Sequence, residues 1–248
     1  MSKADEYRTQ LRALDNWDTY LLEKSGLPGP RGNLELAQVV ADEGDLPLFR
    51  RYTTYTFDKA PVNSPYEFLA FCGVVGFGRL LAEGDIDMLT NIRSHASDPR
   101  WRVREAVAMA LQRLGDVDMT RLISAMRDWS RGTPFEKRAA AAALCEPKLL
   151  GQVENAKAVL DILDEITLSI ELMENRKADD FQALRKGLGY CWSVAVVALP
   201  IEGKILMEKW LATSDKDIQW IMQENLRKAR LTRMDSSWVR QWRTSMGD

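Results

Sequence analysis

A helix-start signal recurs three times at nearly constant spacing along this chain and constrains its fold more than any other feature. The copies occupy residues 64–67 (Ser-Pro-Tyr-Glu), 98–101 (Asp-Pro-Arg-Trp) and 133–136 (Thr-Pro-Phe-Glu), so their starts are 34 and 35 positions apart. Each copy begins with an oxygen-bearing side chain that can cap free N–H groups, followed by a proline suited to the first helical position. In the first and third copies, a glutamate at the third helical position would complete a capping box. Capped helices that recur with a period of about 35 residues predict a helical-repeat solenoid.

A second signal falls between these capped helices. It is the pair Gly-Asp, found at Gly44-Asp45, Gly84-Asp85 and Gly115-Asp116. We expect each glycine to end a helix with positive φ, and each aspartate to cap the helix that follows. The alternation predicts an all-α fold, a right-handed α-solenoid of stacked antiparallel helix pairs like those of HEAT and armadillo proteins.

The spacing predicts one helical-repeat domain over residues 1–248. Within it, residues 1–44 would form N-terminal capping helices, residues 45–145 three regular helix pairs, and residues 146–248 divergent C-terminal pairs. Residues 5–24 are expected to form a single helix because leucines and Trp17 recur at helical spacing.

One segment, residues 97–106 (Ser-Asp-Pro-Arg-Trp-Arg-Val-Arg-Glu-Ala), resembles the start of the second helix of a HEAT repeat. The resemblance implies that Asp98 and Arg104 tie neighbouring repeats together. The same segment is similar to HEAT-like alkylpurine DNA glycosylases, which hold a catalytic aspartate beside paired aromatic residues in a basic groove. The nearest local match, Trp17-Asp18, lies outside the corresponding region, so we do not transfer that role to it. The acidic pI of about 5.7 also departs from that family.

Residues suited to catalysis or metal binding are sparse. The chain has a single histidine, His95, which is expected to be an exposed residue at the end of a helix. One histidine and three scattered cysteines cannot supply a zinc site, so we predict no metal, no cofactor and no catalytic residue. The glycines at positions 73, 76 and 78 lack the strand and Lys-Ser/Thr context of a phosphate loop, and we expect them to permit close helix packing.

Charge and hydropathy favour a cytoplasmic protein without a membrane partner. The net charge is −2, and the longest apolar segments, residues 68–77 and 192–201, are only about half a membrane span. The three cysteines, Cys72, Cys145 and Cys191, lie in apolar helical patterns and are expected to be reduced thiols of the core.

Candidate binding residues combine cations with tryptophans. Residues 225–243 carry six cations against one aspartate, a local charge of +5, and Arg31 is displayed in a Pro/Gly-rich loop at residues 27–32. Such residues are also typical of salt-bridged solenoid faces and of tight connections between helices. The predicted binding residues are Arg31, Arg100, Trp101, Arg102, Arg104, Trp220, Arg227, Lys228 and Arg230.

Two functions remain open at this point. The first is a non-enzymatic scaffold that binds a protein or peptide on the concave face formed by the helices beginning at Pro65, Pro99, Pro134 and Asp215. The alternative is a nucleic-acid-binding protein related to the alkylpurine glycosylases, with a role in DNA alkylation repair. That alternative predicts that the cations at positions 100, 102, 104, 227 and 230 converge on one groove.

Overall fold

A computed structural model describes residues 2–246 of the chain. This part holds fifteen α-helices, one short 3₁₀ turn and no strand, so the all-α prediction is confirmed. Contacts divide the chain into two compact units, one ending at Val117 and the other beginning at Asp118. We call them the N-terminal and C-terminal units. Their boundary lies inside the segment predicted to form three regular pairs.

Seven helices make up the N-terminal unit. They are α1 (Lys3–Arg12), α2 (Asp18–Lys24), α3 (Leu34–Glu43), α4 (Leu46–Thr53), α5 (Pro65–Ala82), α6 (Asp87–Ser94) and α7 (Trp101–Val117).

Eight helices make up the C-terminal unit, with a 3₁₀ turn at Pro147–Leu150. They are α8 (Met119–Trp129), α9 (Pro134–Leu144), α10 (Val153–Ile170), α11 (Asp179–Ala198), α12 (Pro200–Leu211), α13 (Lys216–Leu226), α14 (Ala229–Met234) and α15 (Ser236–Ser245).

Two of the three predicted proline-led starts are confirmed. Helices α5 and α9 begin at their prolines, and the hydroxyl groups of Ser64 and Thr133 each accept a hydrogen bond from the N–H three residues later. Of the two predicted capping boxes, the one at Thr133 forms: the Glu136 carboxylate accepts from the Thr133 N–H at 2.7 Å. At the first copy, the Glu67 carboxylate accepts instead from the N–H of Asn63, so the box predicted there is wrong.

The remaining predicted start, at Pro99 in the second copy, is displaced by two residues toward the C-terminus. Helix α7 begins at Trp101, because the Asp98 carboxylate accepts from the N–H of Arg100 at 2.8 Å and holds the chain in a turn first. The predicted boundary at Gly115-Asp116 is also wrong. Helix α7 continues through it to Val117, and Asp118 caps α8 by accepting from the N–H of Arg121.

Of the predicted helix-ending glycines, Gly84 has a positive φ of 109°, whereas Gly44 is extended. The helix predicted over residues 5–24 is divided into α1 and α2. The indole of Trp17 donates to the Leu11 carbonyl at 2.8 Å, and the Asn16 side chain accepts from the Asp18 N–H, so the chain turns between the two helices.

Helix α5 is the centre of the N-terminal unit and packs against α2, α3, α4, α6 and α7. It is apolar on nearly all sides, and its glycines allow the close approaches predicted for them: a Cβ atom at Gly78 would lie 2.4 Å from the Cα of Ala110 on α7. Within the described residues it is the one helix long and apolar enough to cross a membrane, and 72% of that stretch is buried inside the protein.

Helix α11 has the corresponding place in the C-terminal unit. It packs against α9, α10, α12 and α13, and α8 packs against α9 and α10. The fully buried Trp192 of α11 donates through its indole to the Thr167 hydroxyl of α10 at 3.1 Å, so this large core side chain is also hydrogen-bonded.

Candidate binding pocket and basic cleft

An apolar pocket of about 380 Å³ opens in the N-terminal unit, where loop 27–32 meets helices α5 and α7. Its apolar wall includes Leu27, Phe68, Phe71 and Met109. The rings of Phe68 and Phe71 lie nearly parallel with their centroids 6.4 Å apart and are almost wholly buried. The pocket has the size and lining of many ligand sites.

Three predicted binding residues, Arg31, Trp101 and Arg102, line this same pocket. Arg31 comes from loop 27–32, whereas the other two come from the first turn of α7. Trp101 is 45% exposed, although it belongs to a helix whose other large apolar side chains are mostly buried. A half-exposed tryptophan beside an apolar cavity is typical of a binding anchor.

Arg102 holds the loop in place from a buried position. Its Nη1 pairs with the Glu67 carboxylate at 3.2 Å, and its Nη2 donates to the Gly29 carbonyl at 2.6 Å. The side chain of Asn63 accepts from the Gly29 N–H at 3.0 Å, so both polar groups of Gly29 are bonded. The pocket wall formed by loop 27–32 is therefore anchored to α5 and α7.

One donor of Arg102 is left over. Its Nε is buried and has no hydrogen-bond partner within residues 2–246, and the guanidinium lies 4.4 Å from the centroid of the Trp101 ring. A buried donor without an acceptor costs free energy, which a ligand acceptor could recover.

Arg31 differs from Arg102 in that its side chain is exposed and makes no hydrogen bond or ion pair in the part of the chain that the structure describes. Glu105 also lines the pocket. The pocket thus combines an apolar wall with an exposed cation, Arg31, and a carboxylate, Glu105.

The other predicted cations of the N-terminal unit are structural. Arg100 is 2% exposed; its guanidinium chelates the Asp98 carboxylate and donates to the carbonyls of Tyr55 and Ala60. Arg104 donates to the carbonyls of Asp98 and Pro99. Because these contacts anchor the start of α7, we exclude Arg100 and Arg104 from the candidate site. Asp98 is connected to the preceding segment through Arg100, which bonds the carbonyls of Tyr55 and Ala60.

In the C-terminal unit, a basic cleft of about 760 Å³ brings together Arg227, Lys228 and Arg230, with Arg233 as a fourth cation. The opposite wall is apolar and includes Val194 and Val197 of α11. The last predicted binding residue, Trp220, does not line this cleft; its half-buried ring is covered by the guanidinium of Arg185 at 3.8 Å.

His95 ends α6, as predicted, but it is half-buried instead of exposed. Its ring stacks on Phe77 with the centroids 6.4 Å apart, and burial lowers its pKa. No group of three or more His, Cys, Asp or Glu side chains in residues 2–246 is arranged to hold a metal ion. The three cysteines are confirmed as buried, unpaired thiols.

The apolar half of the pocket was not among the residues predicted from the sequence. Phe68, Phe71 and Met109 are indistinguishable from core residues by periodicity, because pocket walls and cores both lie on apolar helix faces. The signal that could have found them is loop 27–32, whose prolines and glycines require a fixed neighbour to pack against.

No protein-family model matches the chain, and no curated protein matches it either.

Proposed function

We propose that this protein is a non-enzymatic helical binding module whose apolar pocket holds a short segment of a protein or peptide partner. One observation carries the proposal: Arg31 and Trp101, which are distant in sequence and were both predicted to bind, line one apolar pocket. A pocket of this kind supplies the buried centre of an interface, where a few aromatic and arginine residues provide most of the binding free energy.

The lining of the pocket defines the chemistry of the partner segment. The aromatic and aliphatic wall suits one aromatic or long aliphatic side chain. The unpaired, exposed Arg31 suits a carboxylate, which accepts charge-assisted hydrogen bonds. The partner would therefore carry an apolar residue next to an Asp, a Glu or its own C-terminal carboxylate.

The proposed architecture is a HEAT-like right-handed solenoid in the cytoplasm. In its support, each unit has a central helix, α5 or α11, that packs against several other helices of the same unit. The buried thiols suit a reducing compartment.

The nucleic-acid alternative has less support. Arg100 and Arg102, two of the five cations that it requires in one groove, are buried in contacts with protein groups. The remaining support comes from Arg227 and Arg230 of the basic cleft.

The test is selection of peptides from a random library on the full chain, followed by affinity measurements on the enriched sequences. We expect an aromatic or long aliphatic residue beside Asp, Glu or the C-terminus. Arg31→Glu should weaken binding at least about tenfold, since it reverses the charge that faces the carboxylate. Replacing the acid of the peptide by Lys should restore binding to this variant.

Arg50→Glu is the matched control, because Arg50 is also exposed and lies on α4, outside the pocket. Equal loss in both variants, or enriched peptides that bind Arg31→Glu unchanged, would contradict the proposal. Retention on duplex DNA that falls steeply with salt, without peptide enrichment, would favour the alternative.

A further inference from the structure

The basic cleft of the C-terminal unit is separate from the proposed peptide pocket. Its cations come from one short stretch: Arg227 and Lys228 follow the end of α13, and Arg230 and Arg233 lie on α14. The four side chains therefore converge because the chain turns between two helices at this point.

Buried hydrogen bonds hold this turn in place. The fully buried side chain of Asn225 accepts from the Ser193 N–H and donates to the Leu188 carbonyl, both at 2.8 Å, which ties the end of α13 to α11. From the other side, Arg243 donates to the Leu226 carbonyl at 2.8 Å. The cations are thus presented on a fixed backbone.

Two cations of the cleft carry positive charge that nearby acids do not balance. No aspartate or glutamate of the described residues lines the cleft, and nearby Glu224 pairs with Arg227, at 2.7 Å, and Lys228, at 3.8 Å. Arg230 instead stacks on the Tyr190 ring and donates to its hydroxyl group. The Arg233 side chain is exposed and has no ion-pair partner within residues 2–246.

The other wall of the cleft is apolar. Leu150 lies at the end of the 3₁₀ turn, and Val194 and Val197 lie on the last turns of α11. No aromatic side chain of the described chain lines the cleft, so these residues offer no surface on which the bases of a single strand could stack. Its volume of about 760 Å³ is that of a small-molecule site.

We propose that the basic cleft binds an organic diphosphate whose apolar body lies against Leu150, Val194 and Val197. A diphosphate carries the negative charge that Arg230 and Arg233 can balance, and arginine forks match its oxygens with paired hydrogen bonds. The apolar wall would contribute affinity that inorganic pyrophosphate cannot use.

The experiment is calorimetric titration of the full chain with pyrophosphate and with a ten-carbon alkyl diphosphate. We expect the alkyl ester to bind at least about tenfold more tightly than pyrophosphate. Arg233→Glu should weaken the alkyl ester at least tenfold, and Val197→Asp, which places a carboxylate on the apolar wall, should do the same. Arg240→Glu is the control, because Arg240 is an exposed cation of α15 that lies outside the cleft.

Circular dichroism melting of each variant shows whether it is folded. If Val197→Asp does not fold, the affinity of Arg233→Glu for the alkyl ester decides the proposal. No binding of the alkyl ester, equal affinity for pyrophosphate, or equal loss in Arg240→Glu would overturn the proposal. So would binding to duplex DNA, or to vesicles containing phosphatidic acid, without binding of the soluble ester. None of these results bears on peptide binding at the apolar pocket.

Discussion

Burial separates the arginines of the N-terminal unit into structural and ligand-accessible groups. Arg100 and Arg102 lie inside the protein and bond to carbonyl and carboxylate groups of other segments, whereas Arg31 keeps its guanidinium in solvent. A buried guanidinium needs such partners, since the cost of removing its charge from water is large. Exposure therefore identifies Arg31 as the cation that can meet a partner without first breaking contacts of the fold.

His95 provides a test at this scale because it is the only histidine of the chain. Burial lowers its pKa, with an opposing contribution from Asp98, so the folded protein holds it neutral below the pH at which the unfolded chain protonates it. The unfolded state then binds more protons. The contribution of His95 to the free energy of unfolding should therefore be fully present above about pH 6.5 and decline as the pH falls below that value.

Urea denaturation between pH 5.0 and 7.5 measures this effect. The free energy of unfolding of the natural protein should fall toward pH 5, and the His95→Gln variant should show a flatter dependence. Parallel pH profiles for the two proteins would show that His95 titrates alike in the folded and unfolded states.

At the scale of single elements, α5 shows how glycines inside a helix can increase packing. Glycine weakens an isolated helix by about 1 kcal/mol relative to alanine. Here the small residues allow two neighbours to come close: a Cβ atom at Gly76 would lie 2.3 Å from the Phe49 ring on α4, and one at Gly78 would meet the backbone of α7. We expect the close packing of α5 against these two helices to outweigh the helix propensity lost at the glycines.

We expect Gly78→Ala to destabilise the protein by about 1–3 kcal/mol despite the better helix propensity of alanine. The new methyl group would lie 2.4 Å from the Cα of Ala110, and a backbone atom cannot rotate away. The measurement is the free energy of unfolding in urea.

Gly151→Ala is the control for this substitution. Gly151 has a φ of −69°, and a Cβ atom there meets nothing within 4 Å, so the change should stay within about 0.5 kcal/mol. A Gly78→Ala variant as stable as the natural protein would mean that α5 and α7 can separate at little cost.

On the scale of the whole molecule, each unit has its own central helix, its own core and its own candidate site. The apolar pocket belongs to the N-terminal unit and the basic cleft to the C-terminal unit. Buried thiols are distributed in the same way, with Cys72 on α5 and Cys145 and Cys191 in the second core. Each core therefore contains at least one cysteine whose reactivity reports the opening of that core.

The native protein should react with an aromatic disulfide reagent at least about 100-fold more slowly than the denatured chain, in which all three thiols react. Burial raises the pKa of the Cys72 and Cys145 thiols, which lowers the thiolate fraction in addition to restricting access. Mass spectrometry of partly labelled protein identifies which thiol reacts first. Rapid reaction of any thiol under native conditions would be incompatible with the burial described above.

Local patterns were sufficient to predict the helical class and several helix boundaries. Ser64 and Thr133 cap helices because a hydroxyl group followed by proline satisfies free N–H groups through contacts within four residues. Local signals failed where a distant or competing contact prevailed: Asp98 delayed the start of α7, and Asp118 replaced Asp116 as a cap.

The candidate site depended on contacts that no local pattern contains. Arg31, Arg100 and Arg102 are equivalent as sequence letters, yet only folding places two of them against carbonyls and carboxylates far along the chain and leaves the third at a pocket edge. Helix formation is governed by neighbours within a few residues, so it can be read along the chain. Burial and convergence are governed by long-range packing, and for that reason they emerged only from the folded protein.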